Sequence, residues 1–301
     1  MQTHSCVAAK GGLRLDRYIA CEAGLLSRSQ IKARSLKALV NGIPQKISHI
    51  VKKGDLLDLS WDDAPPLDLI PQDIPLRVLY EDDRVIVVDK AQGMVVHPGA
   101  GNREGTLANA LLFRALRRGA SAPGPAARPC IVHRLDKDTS GVLIACWDEA
   151  ALECLAAQFR ARTVRKTYAA LVAGTPGDAS GVIDARIARD KRSRTRFMVS
   201  TAPEKGRAAL TRYRVARSWG THSLLLLRPR TGRTHQLRVH LLSIGHPIIG
   251  DPIYRGPGPS FPNATLMLHA LRLGITLPGA DAQSVFRAPL PARFRAYWIN
   301  A

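Results

Sequence analysis

The amino-acid sequence predicts an α+β fold, a mostly antiparallel mixed sheet with interspersed helices, preceded by a small N-terminal α/β module. Three observations carry that prediction. Apolar or alternating runs of strand length recur between residues 78 and 227. Stripes of helical period fall between some of them, but without the regular βαβ alternation that builds a parallel sheet. Prolines at 65, 66, 71 and 75 separate all of this from a basic stretch nearer the N-terminus.

Residues 13–61 make up the first module. Residues 13–20 read as one short helix and 27–38 as another, with Gly24 between them. On the second helix Arg28 and Lys32 lie one turn apart, so it presents cations while Ile31 and Ala38 can pack inward. A plain solvated helix face would carry the same pattern. Asn41-Gly42 between apolar stretches marks a hairpin turn, and residues 51–59 read as a strand entered from a basic turn. Residues 62–75 are expected to be a semi-rigid linker, because their prolines remove backbone donors and fix the chain direction.

The second domain is expected to span 76–301. Residues 78–80 and 85–90 read as two strands around a polar turn, and residues 97–112 as a glycine-rich loop leading into a helix with Leu107, Leu111 and Leu112 inward. Residues 117–129 are of low complexity and receive no function. The run 142–146, closed by Gly141 before it and Trp147-Asp148 after it, reads as a central strand that holds the preceding loop against the sheet. Asp148 can cap a helix whose inward stripe is Leu152, Leu155, Ala156 and Phe159. Further strands are expected at 165–172, 208–215 and 223–227. Thr234 is expected to cap a helix with Leu237, Leu241 and Ile244 inward and Gly245 at its end, which would set Arg233 at a rigid turn.

Composition narrows the function. With 301 residues and 46% hydrophobic content, the chain can build one large core and one small one. Its 44 Lys and Arg against 24 Asp and Glu give a net charge of +20, which points to a polyanionic partner. No apolar run is long enough to cross a membrane, and residues 1–6 lack a signal-peptide layout, so nucleic acid in the cytoplasm is the expected setting. Five cysteines without Cys-x-x-Cys spacing read as ordinary reduced thiols. There is no Walker loop, no dinucleotide glycine fingerprint and no His-Glu-x-x-His, so neither cofactor nor metal is expected. His235, His240 and His246 lack partners at ligand spacing and are expected to be core or surface residues.

The chemistry centres on residues 133–141, HRLDKDTSG, where Asp136 stands among cations just before the apolar run. Taken alone, the string also fits a solvated loop in which Asp136 pairs with Arg134 or Lys137. It resembles the signature of the RluA family of pseudouridine synthases, and HPGAG (97–101), KTY (166–168) and TGRTHQLRVH (231–240) follow in that family's order. The resemblance implies that Asp136 is the catalytic nucleophile and that Arg233, the arginine after the glycine, pairs with it. It also implies that Tyr168 lines the pocket against the target base and is a candidate to remove the C5 proton, and that Leu268 is an apolar pocket residue. A cationic partner is chemically apt, because an isolated carboxylate in an apolar pocket would otherwise take up a proton.

RNA contacts are expected from several arginines. Arg134 would bind phosphate or fill the space left by a flipped base, Arg238 would contact phosphate, and Arg192 in the basic stretch 186–196 would track the backbone. RLDRYIA, SRSQIKA, VNG and VKKGDLLDL resemble the S-four-like RNA-binding domain, which turns Arg28 and Lys32 toward RNA. The N-terminal module and HPGAGN resemble the branch that modifies large-subunit ribosomal RNA, so that RNA or a ribosome assembly intermediate is the expected partner, met by a monomer. The alternatives are a tRNA-directed pseudouridine synthase, a noncatalytic RNA-binding assembly protein, and a glycosidase pairing Asp136 with Asp138.

Overall fold

The computed structural model describes all residues except 27–30, 32–33, 64–68, 100, 120–129, 191–192, 194, 203, 257–260 and 298–301. Arg28, Lys32 and Arg192 therefore lie outside the described residues. The chain divides into two compact units, Met1–Asp68 and Leu69–Ala301.

In the first unit, β1 (Gln2–Val7), β3 (Lys37–Val40), β4 (Ile43–Gln45) and β6 (Leu56–Trp61) form a sheet in the order β1-β6-β3-β4. A smaller pair joins β2 (Leu13–Arg14) to β5 (Ile50–Val51), and the Leu15–Cys21 helix packs Leu15 and Ile19 into the core with Val51 and Leu57. The sheet thus recruits β1, upstream of the expected module start at residue 13. The hairpin is as read from the sequence: Val40 pairs with Ile43, and Asn41 and Gly42 take φ of 52° and 77°, the twist that a two-residue hairpin turn demands. The second predicted helix is corrected at its C-terminal end. Ile31 is helical and buried, but Ser35 turns left-handed at φ 48° and Lys37–Val40 becomes a strand whose Ala38 and Val40 alternate into the core. Strand pairing with β6 outweighs the helical tendency of that short stretch.

The second unit is built on a ten-stranded sheet. Its main path runs β12-β15-β16-β11-β17-β10-β8-β7, where β7 is Arg77–Glu81, β8 Val85–Lys90, β10 Ser140–Cys146, β11 Arg165–Ala173, β12 Ser180–Asp184, β15 Leu210–Ser218, β16 His222–Pro229 and β17 Leu268–Thr276. β9 (Cys130–Ile131) pairs with β10 and β18 (Gln283–Arg287) with β17, while β13 (Ile187–Arg189) and β14 (Phe197–Val199) form a separate pair. Every pairing in the large sheet is antiparallel except β10 with β17, as the α+β reading requires.

β8 and β10 read as continuous apolar runs because both faces are covered. Val85, Val87, Val142 and Ile144 pack with Leu155 of the Glu149–Ala161 helix on one side. Ile86, Val88 and Leu143 pack with Leu107 and Leu111 of the Leu107–Arg117 helix on the other. Asp148 caps its helix as expected, accepting from Ala151 N at 2.7 Å. Part of the proline-rich segment is pinned to this unit: Asn109 Nδ2 donates to Ile70 O, Gln72 N to Asn109 O, and Gly105 N to Gln72 Oε1.

The parallel β10–β17 contact needs glycine. Gly141 sits at φ 114°, and a Cβ there would stand 2.2 Å from Ala270 O. Beside it, Ser140 Oγ bonds His269 Nδ1 at 2.8 Å in the same buried seam. Gly141→Ala is expected to destabilise the fold by at least about 2 kcal/mol in urea denaturation, since it adds both a clash and a strained φ.

Burial pushes the His269 imidazole down to about 4. The unfolded chain therefore binds this proton between about pH 6.5 and 4 while the folded chain does not, so stability falls as pH drops through that window. His269→Asn should show a shallower fall than wild type in urea midpoints measured from pH 7 to 4; equal slopes would contradict the assignment.

Candidate active site

The loop that bears Asp136 is anchored at alternate residues. His133 Nε2 accepts from Ile144 N at 3.1 Å, its ring stacks on Phe159, and burial pushes its pKa down to about 3, so it is neutral. Leu135 is buried beside Ile86, Leu111 and Leu143. Thr139 N closes a turn onto Asp136 O at 3.1 Å. Lys137 O accepts from Gly93 N and from the buried Lys90 Nζ, which also donates to Ala91 O and Met94 O. All three ammonium donors of Lys90 are thus used to hold backbone, and burial draws its pKa down to about 8. Gln92 Nε2 ties Asp138 O to Leu266 O.

These anchors hold Asp136 at a cavity of about 140 Å³. Asp136, Arg134, Tyr168, Arg233, Arg238 and Leu268 all line it, so the residues singled out from the second domain's sequence and described here converge on one place. Asp136 is the one carboxylate among the described lining residues; Asp138 does not face the cavity. Tyr168 stands where β11 shifts register against β17, the unmatched residue being Leu271 of β17. Burial, with the Asp136 charge nearby, raises its phenol pKa, so the hydroxyl is protonated at neutral pH. Thr139 Oγ1 lines the same cavity and is buried without a partner.

The expected ion pair between Asp136 and Arg233 is replaced by another. Arg238 Nη1 lies 3.8 Å from Asp136 Oδ2, while the Arg233 guanidinium donates through Nε to Ala208 O at 3.1 Å. Helix entry explains the exchange. His235 enters at φ 55°, so Thr234 does not cap the Gln236–Ser243 helix. Gln236 stabilises the turn instead, its Oε1 accepting from Thr231 Oγ1 and Arg233 N and its Nε2 donating to Leu210 O and Thr211 Oγ1. Arg233 is left outside the helix, and Arg238, inside it, points at the carboxylate. Nor does Arg238 lie on an open phosphate-binding face as expected from sequence: it is 4% exposed and bound bidentately to Asp251, with Nε and Nη2 each 2.7 Å from a carboxylate oxygen.

Asp251 was not singled out by sequence reading, nor were Tyr254 and Lys166. Asp251 Oδ1 also accepts from Ile253 N and Tyr254 N, and the Tyr254 ring lies under the Arg238 guanidinium at 4.9 Å. Tyr254 Oη in turn accepts from Phe197 N and bonds His235 Nδ1. Nothing local in the Gly250-Asp251-Pro252 string tells that the carboxylate meets an arginine thirteen residues upstream. Lys166, one turn of strand from Tyr168, lines the cavity with its pKa lowered by burial. His240 bonds Thr211 Oγ1 and Ala185 O, and His246 bonds Ala173 O. Among the described residues no helix is long and apolar enough to cross a membrane.

Comparison with known proteins places this geometry. Residues 84–243 match the family model described as RNA pseudouridylate synthase. Ribosomal large subunit pseudouridine synthase D of Borreliella burgdorferi is 39% identical over 297 residues, covering 97% of this chain and 90% of that protein. The protein of the same name from Zymomonas mobilis is 40% identical over 299 residues, covering 93% and 91%. Among solved structures, human RNA Pseudouridylate Synthase Domain Containing 4 superposes with a TM-score of 0.59 at 27% identity, covering 73% of this chain and 90% of that one. The matched region takes in the Asp136 loop, β11 and the helix that carries Arg238, and the chain belongs to the RNA pseudouridylate synthase family as an RluA-type member.

Proposed function

We propose that this protein isomerises specific uridines of large-subunit ribosomal RNA to pseudouridine, with Asp136 as the group that initiates the reaction. The observation that carries this reading is a lone carboxylate at a small cavity, set 3.8 Å from a fixed guanidinium. The names of the relatives supply the RNA class. We take the substrate to be that RNA, free or in an assembly intermediate, met in the cytoplasm by a monomer.

In the reaction, the bond from uracil N1 to ribose C1′ breaks, the base turns, and a bond from C5 to C1′ forms. C5 gives up its proton and N1 gains one, so nothing is oxidised or reduced. The Asp136 carboxylate is the group that starts the reaction, and the Arg238 guanidinium 3.8 Å away complements its charge. Tyr168, kept protonated, suits stacking on a flipped uracil better than removing the C5 proton, for which Asp136 is the nearby base. Leu268 closes the apolar side of the pocket. Arg134, which lines the cavity, and Arg28, Lys32 and Arg192 are read as RNA contacts, Arg28 and Lys32 through the S-four-like module.

Purified protein incubated with transcripts of large-subunit ribosomal RNA, followed by digestion to nucleosides, should yield pseudouridine and no free uracil. Pseudouridine from tRNA transcripts alone would move the substrate to tRNA; free uracil would support a glycosidase. Asp136→Asn is expected to lower turnover by more than about 10³-fold while RNA affinity stays within roughly threefold, because phosphate contacts dominate binding.

The two arginines make a sharper comparison. Arg238→Lys keeps the charge but loses the planar two-point grip on Asp251, so kcat should fall about 10²-fold or more. Arg233→Lys, measured in the same single-turnover assay, should lose far less. The reverse order would restore Arg233 as the partner of Asp136.

A further inference from the structure

A second cavity, of about 700 Å³, adjoins the first and shares Lys166 and Pro229 with it. Its floor is sheet. Arg212 of β15 stands directly opposite Arg228 of β16, Thr167 of β11 opposite Arg272 of β17, and Arg272 opposite Arg287 of β18. Thr167 is also the next position beyond the Tyr168–Leu227 pair that joins β11 to β16. One cross-strand row therefore reads Arg, Arg, Thr, Arg, Arg over five neighbouring strands, and directly opposed residues project from the same face of a sheet. Arg212, Arg228, Arg272 and Thr167 line the cavity together, joined at its edges by Arg162 and Arg230.

This arrangement is unfavourable in the free protein. Like charges opposite one another in a sheet repel, and all four arginines are exposed. Among the described residues no carboxylate lies within ion-pair distance of any of them, and no acidic residue lines the cavity. A fold does not require two opposed arginine pairs; a polyanion laid across them does. At a strand spacing of roughly 4.8 Å, the row extends about 19 Å and is split by Thr167 into two paired clamps.

We propose that this arginine row is the surface on which the substrate RNA lays its phosphate backbone while one nucleotide enters the Asp136 cavity. The inference rests on the reading of RNA as substrate and names the surface that holds it. Lys166 and Pro229 line both cavities, which fits one strand of RNA running from clamp to pocket. Guanidinium groups grip phosphates in two-point fashion, and each phosphate neutralised releases counterions, so the row should contribute chiefly to salt-dependent affinity.

The test is the double variant Arg228→Gln/Arg272→Gln of the full chain, with an in vitro transcript of large-subunit ribosomal RNA as probe. Kd measured across a KCl series should rise at least about tenfold near physiological salt, and the slope of log Kd against log salt should shrink by about 2. Loss of activity should appear in KM rather than kcat. The melting temperature should hold or rise, because two repulsive pairs are relieved, whereas a purely structural role predicts a fall. Arg228→Lys/Arg272→Lys should recover most of the affinity.

Unchanged Kd and slope in the glutamine variant would overturn the proposal. So would a lysine variant as weak as the glutamine one, since charge would then not be the cause. Reduced binding of polyglutamate with unchanged RNA binding would assign the groove to an acidic protein and overturn it as well. Because binding is read apart from turnover, a wild type that binds through the row but makes no pseudouridine would overturn the isomerase reading and leave the groove standing.

Discussion

A guanidinium shared between two carboxylates organises this site. Arg238 gives Asp251 two bonds of 2.7 Å and offers its remaining nitrogen to Asp136 at 3.8 Å. The first contact has the geometry of a full bidentate ion pair; the second exceeds hydrogen-bond length and acts through charge. That division suits an enzyme. The longer contact leaves the Asp136 oxygens able to meet a bound molecule while the guanidinium complements their charge. Asp251 holds the arginine still, Tyr254 lies against its face, and Asp136 keeps free lone pairs. Breaking the buried Arg238–Asp251 pair would cost about 3–5 kcal/mol in structures of this kind, so the same contact also ties the segment around Asp251 to its helix.

The loop that carries Asp136 runs directly into β10, beside β17. β10 and β17 meet as the one parallel pairing of the large sheet, at the position where Gly141 admits Ala270. The loop in front of β10 is then fixed from beneath by Leu135 in the core and from the side by Lys90, whose ammonium is surrounded by carbonyls rather than carboxylates. An ammonium held by backbone carbonyls is a costly anchor at low dielectric. Tyr168, which lines the cavity, stands where the β11–β17 register shifts by the extra residue Leu271.

Much of this was legible in the sequence, and the limits have physical causes. Elements defined by local pattern came through: the Asn41-Gly42 hairpin, the Asp148 cap, the double-sided burial of residues 142–146, and the antiparallel character of the large sheet. Asp136, Tyr168 and Leu268 were brought together through motif resemblance and Arg134 was read as an RNA contact beside them, and all four line one cavity. The arginine was misassigned because a linear motif holds Arg233 and Arg238 five residues apart, and only the left-handed entry at His235 decides which of them faces inward. Asp251 was missed because its role depends on a partner across the fold. The row of arginines was invisible for a similar reason. Its members come from four strands spread over residues 212–287, and the register that aligns them exists only in the sheet.

The proposed reaction turns on whether the carboxylate of Asp136 drives exchange of the N1 bond for a C5 bond. RNA transcribed with uridine tritiated at C5 reads this directly, since each completed isomerisation releases one C5 hydrogen to solvent. Wild-type protein should release one tritium per pseudouridine formed, with no free uracil, and Asp136→Asn should release none above background. Tritium release that persists at near wild-type rate in Asp136→Asn would contradict the account.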